Sequence, residues 1–246
     1  LSNGMMFAET GNDGKPIDAA YAKERARWEP VMEATQIKGD GETHPLLSPD
    51  DEFADYETWA FGNLDLSEKK TPDMLPYEYA RSALRLGLQL EKRLGTNPYK
   101  FGMIGSTDSH TALMAVEEEC FFGKHSGGEP GPDRWKHLFM DSPNGKIAGW
   151  QETSSGYAGV WATENTREAI FDAIARREVY ASTGPRMMVR FFGGWDFEPQ
   201  HAVTRNPADI GYKLGVPMGS ELHGAKGGKA PTFLVAALKD PIGGNI

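Results

Sequence analysis

The sequence has 246 residues with 39% hydrophobic content, enough to bury the core of a compact α/β domain. Its 26 basic residues are outnumbered by 35 acidic ones, and the net charge of −9 argues against a nucleic-acid binder that neutralises phosphates with a basic face. No run approaches the roughly 20 apolar residues needed to cross a bilayer, so no membrane partner is expected. The single cysteine, Cys120, leaves histidines and carboxylates as the ligands of any metal site.

The first elements along the chain are a helix and a strand. Apolar and aromatic residues at helical spacing predict an amphipathic helix over residues 17–28. Segment 31–37 alternates in part and carries β-branched residues, which predicts a strand. A glycine-containing loop follows, with Glu42 and His44 two residues apart. These two side chains are either part of an exposed polar loop or ligands presented at a strand end.

A parallel crossover is predicted next. Residues 46–75 are rich in proline and acidic side chains and are expected to form a surface excursion. Segment 76–94 has leucines on one face, Pro76 near its start and Gly95 at its end, which are the features of a helix. A short turn leads to the apolar run 101–104, predicted to be an interior strand. The order strand, loop, helix, strand implies two parallel strands.

Asp108 and His110 follow the second strand almost at once. Residues two apart in an extended chain point to the same side, roughly 6.5 to 7 Å apart, so both side chains could reach one cation. Ligands in α/β folds gather at the carboxyl ends of strands, which is where this pair lies. The alternative is that Asp108 caps a helix predicted to run from Thr111 to Phe121. The local sequence leaves both interpretations open.

The second half of the chain is predicted to mix a helix with antiparallel strands. The loop over 123–133 contains Lys124, but it lacks the glycine and hydroxyl residues of a phosphate-binding P-loop. Asn165 is predicted to cap a helix that ends near Arg177. A strand then leads to Arg186, which is either an anion ligand or a solvated side chain. Runs at 187–192, 212–216 and 232–238 are predicted to be antiparallel strands.

Four ordered motifs, at 36–45, 105–110, 159–170 and 179–186, resemble the uncharacterised domain of unknown function 3604 family, related to the PHP (polymerase and histidinol phosphatase) superfamily. The resemblance covers nearly the whole chain. It implies an α/β fold with the C-terminal part of a distorted (β/α)7 barrel over residues 1–186 and a truncated β-rich subdomain over 187–246. It also implies divalent ions at the carboxyl ends of strands. Asp108 and His110 match the closing Asp-x-His ligand motif, and Glu42 or His44 lies near the place of an earlier ligand.

The chain departs from that superfamily because its early His-x-His motif and the ligand motifs that follow it are absent. Since the sequence starts without a methionine and ends in a turn, we expect it to be cut at both ends. The missing N-terminal segment of the same protein would then supply the remaining ligands.

Two functions follow as expectations. The first is metal-assisted hydrolysis of a small-molecule substrate, a phosphate ester, with Asp108 and His110 as ligands of the catalytic centre and Glu42 or His44 assisting. Arg186 would neutralise substrate charge, and a mixed oxygen and imidazole set suits zinc, manganese or iron. The alternative is a non-catalytic module whose β-rich tail and aromatic segment 150–161 bind a sugar or a protein partner, or an inactive fragment of the hydrolase.

Overall fold

The computed structural model describes residues 2–111, 131–152, 156–224 and 227–242. The α-helices in these ranges are α1 (Ala19–Trp28), α2 (Ala80–Leu94), α3 (Arg167–Ala175) and α4 (Pro207–Leu214). The strands are β1 (Val31–Gln36), β2 (Gly39–Asp40), β3 (Gly102–Gly105), β4 (Leu138–Ser142), β5 (Gly145–Ala148), β6 (Tyr157–Val160), β7 (Val179–Ser182), β8 (Met188–Gly194), β9 (Gly215–Pro217) and β10 (Thr232–Leu238). No helix among the described residues is both long and apolar enough to cross a membrane.

The predicted parallel crossover is confirmed, because β1 and β3 pair in parallel and α2 lies between them in the chain. A 3-10 turn over Leu75–Tyr77 precedes α2, and Gly95 ends it with a left-handed φ of 72°. One face of α2 packs into the main core beneath the strand pair. The buried residues of that core are Phe7, Ile17, Met32, Ala80, Ala83, Leu86, Leu90 and Tyr99.

A bulge interrupts the pairing of β1 with β3. Glu33 lies opposite Ile104, but the next pair joins Thr35 to Gly105, so that Ala34 is the extra residue. Ala34 and Thr35 are neighbours and are nevertheless both buried. The alternation of side chains along β1 therefore shifts by one residue at the bulge. This is the reason that segment 31–37 alternates only in part.

Antiparallel pairs form the rest of the described sheet structure. β1 pairs with β2, β4 with β5, and β6 with β7, while β8 lies between β9 and β10. The strand predicted over 212–216 is correct only at its end, because α4 extends to Leu214 and β9, which pairs antiparallel with β8, begins at Gly215. Pro207 suits the first turn of that helix, and Gly211 lets it approach β8, since a Cβ there would lie 2.4 Å from the Phe192 ring.

The predicted (β/α)7 barrel is wrong. A barrel of that kind needs successive strand–helix–strand units that all return in parallel. Among the described strands, β1 and β3 form such a pair, but β6, α3 and β7 do not, because β7 runs antiparallel to β6. Arg177, at a left-handed φ of 66°, turns the chain back after α3. The described residues form a mixed α/β structure with several small sheets instead of a closed barrel.

Two further predictions concern helix ends. The N-cap of α3 is Thr166 rather than Asn165, because the Thr166 side chain accepts the backbone N–H of Ala169 at 3.3 Å. The described residues stop at Thr111 and resume at residue 131. The predicted helix from Thr111 to Phe121, which contains Cys120, therefore lies outside them beyond its first residue. Most of the loop over 123–133, which contains Lys124, lies outside them as well.

Candidate functional site

Two segments of chain meet at the carboxyl edge of the parallel pair. Beyond the strand ends, the backbone N–H of Ser106 donates to the carbonyl oxygen of Thr35 at 3.0 Å, and that of Ile37 donates to Thr107 at 3.3 Å. These hydrogen bonds carry the residues after β1 alongside the residues after β3. Side chains from both segments therefore share one edge of the sheet.

The Asp108 carboxylate lies between a lysine and a histidine at this edge. Its Oδ2 forms an ion pair with Nζ of Lys38, and its Oδ1 lies 3.4 Å from Nε2 of His110. The Lys38 side chain is only 6% exposed, whereas that of His110 is 56% exposed. Asp108 has a left-handed φ of 50°, a conformation that aspartate tolerates better than most residues. The structure thus brings Asp108 and His110 together, next to a buried cation.

Glu42 lies in an ion-pair network of its own. Nε and Nη2 of Arg81 donate to Oε1 of Glu42 at 2.9 and 2.8 Å, and Nη1 of Arg81 donates to Asp51 at 2.6 Å. This Oε1 therefore accepts two hydrogen bonds from one guanidinium. A cation at this oxygen would have to compete with Arg81.

His44 packs against an aromatic ring. Its Nδ1 accepts the backbone N–H of Leu46 at 3.1 Å, and its ring centroid lies 5.6 Å from that of Tyr79. Burial lowers the pKa of His44, and the nearby Lys70 ammonium lowers it further. Both effects favour the neutral imidazole, whose Nδ1 acts as the acceptor.

A cavity of about 230 Å³ is lined in part by Lys38. Lys70 and Glu78 line it and form an ion pair at 2.8 Å, with side chains that are 6% and 4% exposed. Burial raises the pKa of Glu78, but nearby positive charge and hydrogen bonds from Lys70 and Ser2 outweigh this effect and hold the pKa below its usual range. The Glu78 side chain therefore keeps its negative charge at neutral pH although it is almost completely buried.

Asp40 also lines this cavity. Burial raises the pKa of Asp40 from its ordinary value of 3.8 to about 6, although the backbone N–H of Glu42 donates to its Oδ2 at 3.0 Å and opposes the shift. A carboxyl group with this pKa changes its protonation state close to neutral pH.

The substitution Asp40→Asn is expected to change how stability depends on pH. Because the folded pKa lies above the ordinary value, the stabilising contribution of Asp40 is fully present below pH 3.8 and is lost as the pH rises through about 6. Asparagine does not ionise, so relative to wild type the variant should gain about 1–2 kcal/mol between roughly pH 4 and pH 7.5, a value discounted for partial solvent screening. Urea unfolding at the two pH values measures this change.

A suitable control is Asp65→Asn, because hydrogen bonds from Ser67 lower the pKa of Asp65 at the surface. Its stability relative to wild type should change in the opposite direction over the same range. A relative stability of Asp40→Asn that is the same at both pH values would contradict the assigned shift.

A second depression, the aromatic cleft, adjoins the first cavity and measures about 290 Å³. The two share Lys38, Gly39 and Trp59. Phe61 and Trp150 complete the aromatic part of the lining. The polar part consists of Lys38, Glu57, Thr58 and Gln151.

Arg186 packs on the Tyr157 ring. Its guanidinium lies 5.5 Å from the centroid of the Tyr157 ring and donates to the Tyr157 hydroxyl at 3.3 Å, while its backbone N–H donates to Asp240 at 2.8 Å. The role of Arg186 in binding an anion stays a prediction.

Lys38 and Asp40 are site residues that sequence reasoning missed. Both belong to the tight hairpin in which β1 returns as β2, where Gln36 pairs with Gly39. The available signal was a lysine and an aspartate around a glycine directly after a predicted strand. That signal is weak, because the same residues are common in exposed turns.

The donors at Asp108 and His110 suit a divalent metal ion in kind, since a carboxylate oxygen and an imidazole nitrogen lie within 3.4 Å of each other. In the part of the chain that the structure describes, no three histidine, cysteine or carboxylate side chains gather into one group. Glu42 and His44 therefore do not join Asp108 and His110 there. Among the described residues, Asp108 and His110 thus supply two of the ligands that a metal ion would need.

Comparisons with known proteins place the chain in a family without an assigned role. All of residues 1–246 match the family described as "Protein of unknown function (DUF3604)". An uncharacterized protein of Chlamydia trachomatis serovar D is 32% identical over 95 residues, which are 37% of this chain and 14% of that protein. The match thus spans a small part of the relative's length. No solved structure matches the chain.

Proposed function

This chain belongs to the DUF3604 family of proteins of unknown function, and we propose that it is part of a metal-dependent hydrolase that cleaves a phosphate ester. The observation that carries the proposal is the pairing of Asp108 with His110 where the parallel strands end, next to buried Lys38. The resemblance of segment 105–110 to the closing ligand motif of the PHP superfamily supports the same chemistry.

In this proposal Asp108 and His110 hold a divalent ion, and zinc, manganese or iron suits their mixed donors. Such an ion supplies Lewis-acid activation of the substrate and of water near neutral pH. The further ligands are proposed to come from residues outside the described ranges.

Lys38 is the residue best placed to neutralise the phosphate charge. It contacts Asp108 and lines both the first cavity and the aromatic cleft, whereas Arg186 lies against Tyr157. The Lys38 ammonium is only 6% exposed and pairs with Asp108, so a phosphate bound there would share the ammonium with the Asp108 carboxylate. Lys38 would therefore orient the phosphate beside Asp108 and His110.

The test is metal content together with phosphatase activity of the full-length protein. Asp108→Ala and His110→Ala should lower the bound divalent metal measured by elemental analysis, and should lower kcat for p-nitrophenyl phosphate at least about 100-fold. Asp141→Ala and His223→Ala serve as matched controls, because both side chains are exposed and pair with other residues. Equal metal content in wild type and in the two site variants would refute the proposal.

A further inference from the structure

The aromatic cleft has two exposed aromatic rings in its lining. Trp150 is 62% exposed and Phe61 is 41% exposed, and both line the cleft. Exposed rings collected in one depression leave apolar area in contact with water, and such patches commonly mark binding sites. The fold therefore keeps this apolar surface open beside the candidate site.

The floor of the cleft is fixed. Trp59 is 5% exposed, and its indole N–H donates to the carbonyl oxygen of Gly62 at 3.0 Å. Its ring meets that of Phe61 nearly at right angles, at 80° and with centroids 5.1 Å apart. A buried, hydrogen-bonded tryptophan thus supports the exposed phenylalanine, so that the aromatic surface is organised before a ligand arrives.

Polar groups surround the rings. Thr58, Glu57 and Gln151 line the same cleft, and the side-chain oxygen of Gln151 accepts the backbone N–H of Ala148 at 2.9 Å, which sets the orientation of the amide. Aromatic faces combined with a few oriented polar groups are typical of small-molecule sites. A sugar ring matches this combination, because its C–H faces pack on aromatic rings while its rim of hydroxyl groups forms hydrogen bonds.

We propose that the aromatic cleft binds the sugar ring of a phosphorylated sugar, with the phosphate at Lys38. Lys38 is common to the cleft and to the group formed with Asp108, so a ligand whose ring fills the cleft places its anionic end at the lysine. A volume of about 290 Å³ suits one ring rather than a chain of sugars. The identification of the phosphate end rests on the hydrolase function proposed above, whereas the ring site rests on the cleft alone.

The experiment measures binding to the full-length protein by isothermal titration calorimetry. The probes are glucose 6-sulfate and galactose 6-sulfate, which carry a ring and a tetrahedral anion that a phosphatase does not consume, compared with ethyl sulfate, which has no ring. At least one ring-bearing probe should bind about tenfold more tightly than ethyl sulfate. Trp150→Ala and Phe61→Ala should each weaken binding of that probe about tenfold.

Trp28→Ala is the matched control, because Trp28 is 68% exposed on α1 and does not line the cleft. It should leave binding unchanged. The proposal is overturned if ring-bearing and ring-free probes bind with equal affinity, or if Trp150→Ala binds the sugar sulfates as tightly as wild type does. It is also overturned if the protein binds tetramethylammonium but neither sugar sulfate.

The same measurements separate this inference from the hydrolase function. Ring-dependent binding without any metal-dependent turnover of p-nitrophenyl phosphate would support the sugar site and count against the hydrolase. Turnover that requires Asp108, combined with equal affinity for ring-bearing and ring-free probes, would support the hydrolase and overturn the sugar site.

Discussion

Replacing Lys70 by methionine is expected to destabilise the fold by about 3–5 kcal/mol at neutral pH. Lys70 and Glu78 are paired at 2.8 Å with side chains that are 6% and 4% exposed, so the substitution leaves the Glu78 carboxylate buried without its cation. Lys70 also donates to the carbonyl oxygen of Trp59 at 2.8 Å, and that hydrogen bond is lost as well. Chemical unfolding of wild type and Lys70→Met at pH 7 measures the difference.

The pH dependence identifies the cause of that loss. In wild type the pKa of Glu78 lies below its usual range, so the stability that it contributes is present above about pH 4.5 and is lost as the pH falls. In Lys70→Met the unpaired, buried carboxyl should have a raised pKa, so the difference from wild type should shrink toward pH 4. The double variant Lys70→Met with Glu78→Gln should regain part of the loss at pH 7, because the buried charge is gone.

A surface pair provides the comparison. Lys146 and Asp141 lie 2.9 Å apart with side chains that are 63% and 54% exposed, so Lys146→Met should change stability by less than about 0.5 kcal/mol. If Lys70→Met cost no more than Lys146→Met, the buried pair would not carry the energy assigned to it.

The substitution Gly39→Ala is expected to cost about 3 kcal/mol, since it combines an unfavourable φ with a collision and the loss of a hydrogen bond. Gly39 has a φ of 114°, and a Cβ there would lie 2.3 Å from the carbonyl oxygen of Glu57. The same oxygen accepts the backbone N–H of Asp40 at 2.9 Å. Relief of the collision requires segment 57–59 to move away from the hairpin, which would also distort the aromatic cleft.

Gly14→Ala separates these contributions. Gly14 has a φ of 73°, and nothing lies within 4 Å of the position that its Cβ would take, so this variant should lose only the conformational cost of about 1 kcal/mol. Thermal or urea unfolding of both variants gives the difference. Similar losses of stability in the two variants would show that segment 57–59 moves away from the Cβ at no energetic cost.

Elements whose signals are local were predictable. α1, β1, α2 and β3 follow from apolar spacing, proline and glycine positions and β-branched residues, and β10 has the predicted bounds. The order of these elements also gave the parallel pairing of β1 with β3. The barrel was not predictable in this way, because strand-end motifs say nothing about the direction in which a later strand returns. β7 returns antiparallel to β6, and no local motif of the sequence indicates this.

The candidate site was predictable in part for the same reason. Asp108 and His110 are two residues apart, and their proximity needs little more than an extended chain. The ion pair between Lys38 and Asp108 joins residues 70 positions apart and depends on the pairing of two strands. The approach of Trp150 to Phe61 across the aromatic cleft is likewise a product of tertiary structure, since no local pattern links segment 57–61 to segment 150–151.

Beyond the bulge at Ala34, chain length is more critical than residue type. Side chains along a strand alternate with a period of two, so a shift of one residue moves everything beyond it to the opposite face. Deleting Ala34 would remove the bulge but keep Glu33 opposite Ile104 and Thr35 opposite Gly105. Deleting Gln36 would instead direct Lys38 away from Asp108, whereas an exchange of Met32 for another apolar residue would only alter packing. Among proteins related to this one, insertions and deletions should accumulate in the excursion over 46–75 and spare the residues between Thr35 and Asp40.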